Sequence, residues 1–277
     1  MQKVSNIISF FKAELLGITQ EREVISWAYI VIQYLLGYNR SDCIIYADQL
    51  ITPEITDRIQ QIVRDLKTQK PLQYILAETE FYGMKFKMNE HTLIPRPETE
   101  ELVDWVLQEK FNSVLDIGTG SGCISIALAK HSKATISAID ISEMALKVAK
   151  ENAAINKVKI DFIQQDVLQT HSLQKVDVII SNPPYVLESE KKKMKTNVLQ
   201  YEPHLALFTP DKDPLLFYKK IGSLASKSLN CGGKLFFEIN EQYGTEISRM
   251  LSKIGFVDIA LKKDINDKNR MIKAIWK

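Results

Sequence analysis

The chain has 277 residues, of which 45% are hydrophobic and 25% charged, a composition typical of a globular protein with room for two domains. Its formal net charge of +2 is too small to indicate a polyanion partner. The three cysteines, Cys43, Cys123 and Cys231, are too scattered for a disulfide framework or a zinc site, and no signal peptide or membrane-spanning stretch is evident. We therefore expect a cytoplasmic protein with no metal and no membrane partner.

Residues 1–75 have the apolar spacing of a small helical bundle. A second helix is predicted over Thr19–Gly37, and a short third from Ser41. The fourth has the clearest beginning, with Thr52 as N-cap and Pro53 in the first helical position. The bundle contains no catalytic motif. It either caps the domain that follows or docks a macromolecular substrate, and the sequence favours neither interpretation.

A linker hairpin is predicted within residues 76–95, because Gly83 interrupts alternating apolar and polar positions. Pro97 then opens a helix whose first turn is acidic. Arg96, held between two prolines, is either a structural ion-pair partner or a residue that positions a carboxylate.

Residues 96–277 alternate between strand and helix patterns, which predicts a parallel sheet covered by helices on both faces. The predicted strands are 113–116, 135–140, 159–164, 176–181, 233–239, 257–261 and 270–276. The predicted helices between them are 124–130, 143–152, 215–229 with Asp213 as N-cap, and 245–255. The last two strands have no helix between them, so they should pair antiparallel. The fold class is α/β, a seven-stranded, mostly parallel, doubly wound sheet with its last strand antiparallel.

A glycine-rich loop connects the first predicted strand to its helix, a context in which free backbone N–H groups meet a ligand. The loop residues are Asp116, Gly118, Thr119, Gly120, Ser121 and Gly122. Its GxGxG spacing differs from the GxGxxG of dinucleotide sites. An acidic residue beside the loop would repel a pyrophosphate and suits a ligand that carries an ammonium or sulfonium charge.

Two further carboxylates end the next two strands. Asp140 follows the loop by about 20 residues, where a carboxylate receives ribose hydroxyls. Asp166 is expected to hold an adenine amino group, with Val167 flanking the ring. Each Asp alone would be read as a turn or cap residue. Three strand-end carboxylates around a glycine loop favour S-adenosylmethionine as the cofactor.

The fourth strand runs into a second motif, Asn182-Pro183-Pro184-Tyr185. Two prolines turn the chain out at the carboxyl end of the strand, where open α/β sheets bind ligands. Asn182 carries an acceptor oxygen, and Pro183 has a carbonyl but no N–H. A planar substrate that bears an NH2 group fits this turn, with two acceptors for its N–H bonds and the Tyr185 ring on its face.

With these motifs in order, the chain resembles the class I S-adenosylmethionine-dependent methyltransferases and, more narrowly, the release factor glutamine methyltransferases (the PrmC/HemK family). The matching segments are 71–75, 80–83, 94–100 (IPRPETE), 116–122 (DIGTGSG), 182–185 (NPPY) and 201–207 (YEPHLAL). The glycine loop is general to the superfamily, and adenine-N6 DNA methyltransferases share NPPY, whereas 94–100 and 201–207 are more specific. Val167, Pro214 and Asn240 depart from the family pattern.

The resemblance implies methylation of the side-chain amide nitrogen (N5) of the glutamine in the Gly-Gly-Gln motif of peptide-chain release factors, without a direct nucleic-acid partner. Asn182 Oδ1 and the Pro183 carbonyl would accept both amide N–H bonds, with Pro184 stiffening the turn and Tyr185 packing on the amide plane. Asn182 is expected to contact the cofactor as well as the substrate.

Two alternatives stay open. A DNA adenine-N6 methyltransferase would use NPPY on a flipped base, although the chain lacks a recognition domain and a basic stripe. The lysine run at 191–195 is interpreted as a solvated flexible loop. A binding protein that keeps the fold without the chemistry is the other alternative, against which the intact Asn182 and glycine loop stand.

Overall fold

The computed structural model describes residues 3–277, which form two compact units, the first ending at Ala77 and the second covering Glu78–Lys277. The helices of the first unit are α1 (Ser5–Leu15), α2 (Glu21–Leu36), α3 (Arg40–Ile45), α4 (Pro53–Lys67) and α5 (Leu72–Leu76). No helix within residues 3–277 has the length and apolar character needed to cross a membrane.

The helices of the first unit begin and end at the residues that carry capping signals. Gly37 ends α2 in the left-handed conformation, with φ of 73°. The Thr52 hydroxyl accepts a hydrogen bond from the Ile55 N–H at the start of α4. Asn39 caps α3, so this helix begins one residue before the predicted Ser41. The apolar faces share one core, built chiefly by Ile7, Phe11, Leu15, Val24, Ala28, Val31, Ile59, Ile62 and Leu66.

The second unit carries the predicted sheet. Its helices are α6 (Pro97–Leu107), α7 (Cys123–His131), α8 (Glu143–Ile155), α9 (Thr196–Tyr201), α10 (His204–Leu207), α11 (Leu216–Ser228) and α12 (Gly244–Ile254). Its strands are β1 (Glu78–Phe81), β2 (Met84–Lys87), β3 (Ser113–Ile117), β4 (Thr135–Asp140), β5 (Asp161–Gln164), β6 (Val176–Ser181), β7 (Val186–Leu187), β8 (Phe208–Thr209), β9 (Leu229–Glu238), β10 (Val257–Lys263) and β11 (Asn269–Ile275).

Seven of these strands form one sheet in the order β10-β11-β9-β6-β3-β4-β5. Pairing is parallel from β9 to β5, and β11 pairs antiparallel with both β9 and β10. The predicted fold class is therefore confirmed. The direction of winding reverses between β3 and β6, which places the loops that follow these strands at a topological switch point.

The predicted hairpin forms from β1 and β2, which pair antiparallel. From Glu78 onwards the segment expected as a linker lies in the second unit. The Asn152 side chain of α8 anchors it there, accepting a hydrogen bond from the Lys87 N–H at 2.6 Å and donating to the Lys87 carbonyl at 3.1 Å.

The prediction for the beginning of α11 is wrong. Asp213 is not the N-cap, because the helix begins at Leu216 with Leu215 as its N-cap. The Asp213 carboxylate instead forms an ion pair with Lys219 at 2.7 Å. The residues around Pro214 form turns ahead of the helix.

The lysine run also differs from the expected loop. Residues Glu188–Lys193 form a 3-10 helix between two short strands, β7 and β8. Lys191 pairs with Glu188 at 2.5 Å, and its ammonium lies 4.3 Å from the centre of the Phe208 ring.

Candidate active site

A cavity of about 380 Å³ lies at the carboxyl ends of the central strands. Its floor and walls come from the β3–α7 loop, the ends of β4 to β6, and two separate segments around residues 91–99 and 203–206. Of the predicted site residues, those that line it are Gly118, Thr119, Gly120, Ser121, Asp140, Asp166, Val167, Asn182, Pro183 and Pro184. The structure therefore brings both sequence motifs to one site.

The glycine loop is shaped by positive backbone angles. Gly120 has φ of 54° and nothing within 4 Å of the position of an added Cβ, so the loop meets the cavity as bare backbone. Gly122 is constrained from the other side, because an added Cβ would lie 3.0 Å from Ile126 Cδ1 and 3.2 Å from Ala149 Cβ. Gly122 is not on the cavity wall; it lets the loop close onto α7 and α8.

Asp116 lies buried beneath the loop. Its Oδ2 accepts a hydrogen bond from the Thr119 hydroxyl at 2.6 Å, whereas Oδ1 has no hydrogen-bond partner among residues 3–277. Burial raises the pKa of Asp116 to about 7, and the nearby charge of Asp140 acts in the same direction. Asp116 does not line the cavity, so its charge can favour a cationic ligand only from behind the loop.

Asp140 joins the loop to the end of β4. Its Oδ2 accepts from the Gly120 N–H at 2.8 Å, and its Oδ1 accepts from the Ser142 N–H at 2.9 Å. Burial raises the pKa of Asp140, and these backbone donors oppose that rise. The carboxylate thus fixes the loop while also facing the cavity.

The adjoining wall is largely apolar. Ile141 lines the cavity although 44% of its surface is exposed, and Val167 lines it as well. Asp166 Oδ1 accepts a hydrogen bond from the Leu168 N–H at 2.8 Å. The exposed side chain of Ile141 offers a flat ring an apolar contact. Ile141, which follows Asp140 directly, was not among the predicted site residues.

The NPPY turn closes the opposite side of the cavity. Asn182, Pro183 and Pro184 lie on the wall. Asn182 Nδ2 lies 3.5 Å from the hydroxyl oxygen of Thr99, the third residue of α6. Asn240, one of the departures from the family pattern, donates from Nδ2 to the Tyr185 carbonyl at 3.2 Å and so fastens the turn from below.

Tyr185 is placed differently from the expectation that its ring packs on the substrate amide. It is not among the cavity-lining residues, and its ring packs against the core of the sheet. Its hydroxyl donates to Glu238 Oε1 at 3.0 Å. The physical reason is Glu238 itself, a buried carboxylate at the end of β9 that requires donors.

Glu238 is a site-supporting residue that sequence analysis missed. Its Oε2 accepts from the Thr99 hydroxyl at 2.6 Å. Burial raises the pKa of Glu238, while the hydroxyls of Thr99 and Tyr185 and the charge of Arg270 lower it. No motif marked it, and only its position near the end of the predicted strand 233–239 was similar to that of the predicted aspartates.

Arg96 forms an ion pair with Glu202 of the YEP segment, with Nη2 and Oε1 2.7 Å apart. The other oxygen of Glu202 accepts from the Ile94 N–H at 3.3 Å. Arg96 also lines the cavity. The structural interpretation of Arg96 as an ion-pair partner is therefore confirmed, and it joins the two most family-specific segments of the sequence.

The residues present fit S-adenosylmethionine. The unpartnered buried oxygen of Asp116 suits a ligand with positive charge, the bare backbone at Gly120 allows close approach, and Asp140 presents a carboxylate for hydroxyl groups. The apolar side chains of Ile141 and Val167 suit an aromatic ring.

The chain is similar to known proteins in both sequence and fold. Residues 97–203 match the model of the methyltransferase small domain, and residues 8–76 match that of the PrmC N-terminal domain. Among solved structures, a methyltransferase from Pyrococcus furiosus is similar in fold, with a TM-score of 0.55 at 16% identity over 81% of this chain and 98% of that one.

Curated relatives are similar over nearly the whole length. The release factor glutamine methyltransferase of Flavobacterium psychrophilum is 46% identical, with 98% of each chain covered. That of Bacteroides thetaiotaomicron is 40% identical over 98% of this chain and 99% of its own. The chain therefore belongs to the release factor glutamine methyltransferase family.

Proposed function

We propose that this protein transfers a methyl group from S-adenosylmethionine to the side-chain amide nitrogen N5 of the glutamine in the Gly-Gly-Gln motif of peptide-chain release factors. The observation that carries the proposal is the single cavity that the glycine loop, Asp140 and the Asn182-Pro183 turn line together. Family membership supports the same substrate class.

The cofactor site is assigned to the loop and the two strand-end carboxylates. Asp116 and the loop backbone from Gly118 to Ser121 would receive the charged amino-acid portion, Asp140 the ribose hydroxyls, and Asp166 with Ile141 and Val167 the adenine. When bound, S-adenosylmethionine supplies a methyl group on a sulfonium sulfur, which leaves as a neutral thioether.

The substrate site is assigned to the NPPY turn. An amide nitrogen is a poor nucleophile because its lone pair is delocalised. Asn182 Oδ1 and the Pro183 carbonyl accept its two N–H bonds, which orients the nitrogen and stabilises the positive charge that develops on it. No strong base is required beforehand, because the proton leaves to water after methylation. Pro184 keeps the turn rigid. Tyr185 does not contact the substrate and instead donates a hydrogen bond to Glu238.

The test is mass spectrometry of the Gly-Gly-Gln peptide from purified release factor after incubation with the protein and S-adenosylmethionine. We expect a gain of one methyl group on the glutamine side chain and none on duplex or single-stranded DNA. Methylation of DNA alone would favour the adenine-N6 alternative, and cofactor binding without methylation of either would favour the binding-protein alternative.

A further inference from the structure

A chain of hydrogen bonds runs behind the NPPY turn into the protein interior. Asn182 Nδ2 lies 3.5 Å from Thr99 Oγ1, and Thr99 Oγ1 lies 2.6 Å from Glu238 Oε2. Thr99 and Glu238 are 2% and 1% exposed, so water does not compete for these groups. The register of the sheet produces this neighbourhood, because Ser181 pairs with Phe237 and the next residues of both strands are Asn182 and Glu238.

The donors and acceptors fix the direction of each hydrogen bond from Asn182 through Thr99 to Glu238. Both Glu238 oxygens accept hydrogen bonds, Oε2 from the Thr99 hydroxyl and Oε1 from the Tyr185 hydroxyl. A threonine hydroxyl has a single hydrogen, so Thr99 can offer Asn182 only a lone pair. Asn182 must therefore turn its NH2 group towards Thr99.

The consequence for the site follows from the planar amide. With Nδ2 held at Thr99, Oδ1 lies on the opposite branch and remains for a ligand of the cavity. The reverse rotamer would place two oxygens against each other and present a donor to the substrate. A donor in that position cannot accept an N–H bond of a carboxamide.

We propose that Thr99 and Glu238 are positioning residues that fix the Asn182 amide with its oxygen turned to the reacting nitrogen. Neither residue is assigned contact with the transferred methyl group. The inference rests on the proposed function for its catalytic meaning, but the amide orientation itself is a property of the free protein.

The activity test compares Thr99→Val with Thr99→Ser. Valine keeps the shape and removes the hydroxyl, so we expect kcat for release factor methylation to fall about tenfold while the Kd for S-adenosylmethionine stays unchanged. Serine restores the hydroxyl and should restore most of kcat. Glu238→Gln tests the last residue of this series of hydrogen bonds, because a carboxamide offers both a donor and an acceptor where the carboxylate offers acceptors.

The control is Thr209→Val. The Thr209 hydroxyl is equally buried, has no hydrogen-bond partner among residues 3–277, and belongs to no part of the site. This variant should keep the wild-type kcat. Thermal melts of all variants establish that each is folded.

A second measurement does not depend on the substrate. The side-chain NH2 signals of Asn182, assigned by their loss in Asn182→Asp, should move in Thr99→Val and Glu238→Gln and stay in Thr99→Ser. If the wild type methylates no release factor while these signals move as expected, the proposed function fails and the positioning role stands. The positioning role would be overturned if the Asn182 signals were unchanged in Thr99→Val, or if an active enzyme kept its kcat in that variant.

Discussion

The guanidinium of Arg96 lies 2.7 Å from the carboxylate of Glu202, of whose side chain only 2% is exposed. The two residues are 106 positions apart in sequence and belong to segments that form separate walls of the cavity. The pair therefore fixes the spacing of those walls before any ligand arrives.

Replacement of Arg96 by alanine should destabilise the second unit. It would leave the buried Glu202 carboxylate with one backbone donor, and because the Arg96 side chain is itself 34% exposed we expect a cost of about 1–3 kcal/mol. We expect urea denaturation to show that loss in the free energy of unfolding. Lys147→Ala is the matched control, because its pair with Glu143 is exposed on both sides and its loss should cost about 0.5 kcal/mol or less. Equal losses in the two variants would contradict a structural role for the Arg96 pair.

Replacement of Asn182 by alanine should reduce rate far more than cofactor affinity. It removes an acceptor that is most effective when charge develops on the substrate nitrogen, and such groups contribute about 100-fold or more to kcat. Single-turnover methylation and isothermal titration with S-adenosylmethionine measure the two effects separately. Asn230→Ala, at the opposite end of the sheet, should leave both unchanged. Equal losses of rate and affinity would remove the catalytic role of Asn182.

Replacement of Asp140 by alanine should act on the cofactor. The change removes the acceptor of the Gly120 N–H and the carboxylate that faces the cavity. We expect the Kd for S-adenosylmethionine to rise about tenfold or more, while kcat at saturating cofactor changes less. Asp161→Ala, at the exposed start of β5, serves as the control in the same titration. An unchanged Kd in Asp140→Ala would place the ribose elsewhere.

Cofactor affinity should rise with pH between about 6 and 8 because of Asp116. The pKa of this carboxyl is about 7 in the free protein, so it is largely protonated at pH 6. A cationic ligand favours the carboxylate, and binding near neutral pH therefore releases a proton. Titrations in buffers of different ionisation enthalpy count that proton. The release should vanish in Asp116→Asn, and a wild-type protein that releases none would contradict the assignment.

The same carboxyl makes the stability of the ligand-free protein depend on pH, in a direction that follows from its raised pKa. Its pKa is raised above the unfolded value, so the folded state binds the extra proton. The corresponding stabilisation is complete below about pH 4 and is lost as the pH rises through about 7. The melting temperatures of the wild type and Asp116→Asn, measured between about pH 4 and pH 7, should become similar near pH 4.

A methyl group at Gly122 should destabilise the folded protein. Gly122 has φ of 81°, and an added Cβ would meet Ile126 and Ala149, so we expect Gly122→Ala to lower stability by about 1–3 kcal/mol. Gly17→Ala is the control, since its φ lies outside the left-handed region and no atom lies within 4 Å of an added Cβ. Similar melting temperatures for both variants would contradict this account of the loop.

The sheet was predictable because its strands are apolar runs bounded by turn signals. The bounds of β4 and β6 agree with their predictions at both ends. The beginning of α11 was not, because Asp213-Pro214 is equally compatible with a helix start and with a turn. Local signals decide such cases only when tertiary contacts do not intervene.

The segment between residues 186 and 209 was the least predictable part of the chain. Its short elements depend on partners distant in sequence, such as the Lys191 ammonium on the Phe208 ring and the Asn240 amide on Glu190. The candidate site likewise contains residues that were predictable from the sequence and residues that were not. The glycine loop and NPPY were visible as motifs, whereas Glu238 has no local signature and is recognised only through its contacts with Thr99 and Tyr185.

The position of β11 has a consequence for biosynthesis. This strand is the last of the sheet in chain order, yet it lies between β9 and β10. A nascent chain that has emerged only as far as β10 leaves the β9 edge open, and Glu238 ends that strand opposite Met271 of β11. The sheet around Glu238 is therefore complete only once residues 269–275 have left the ribosome.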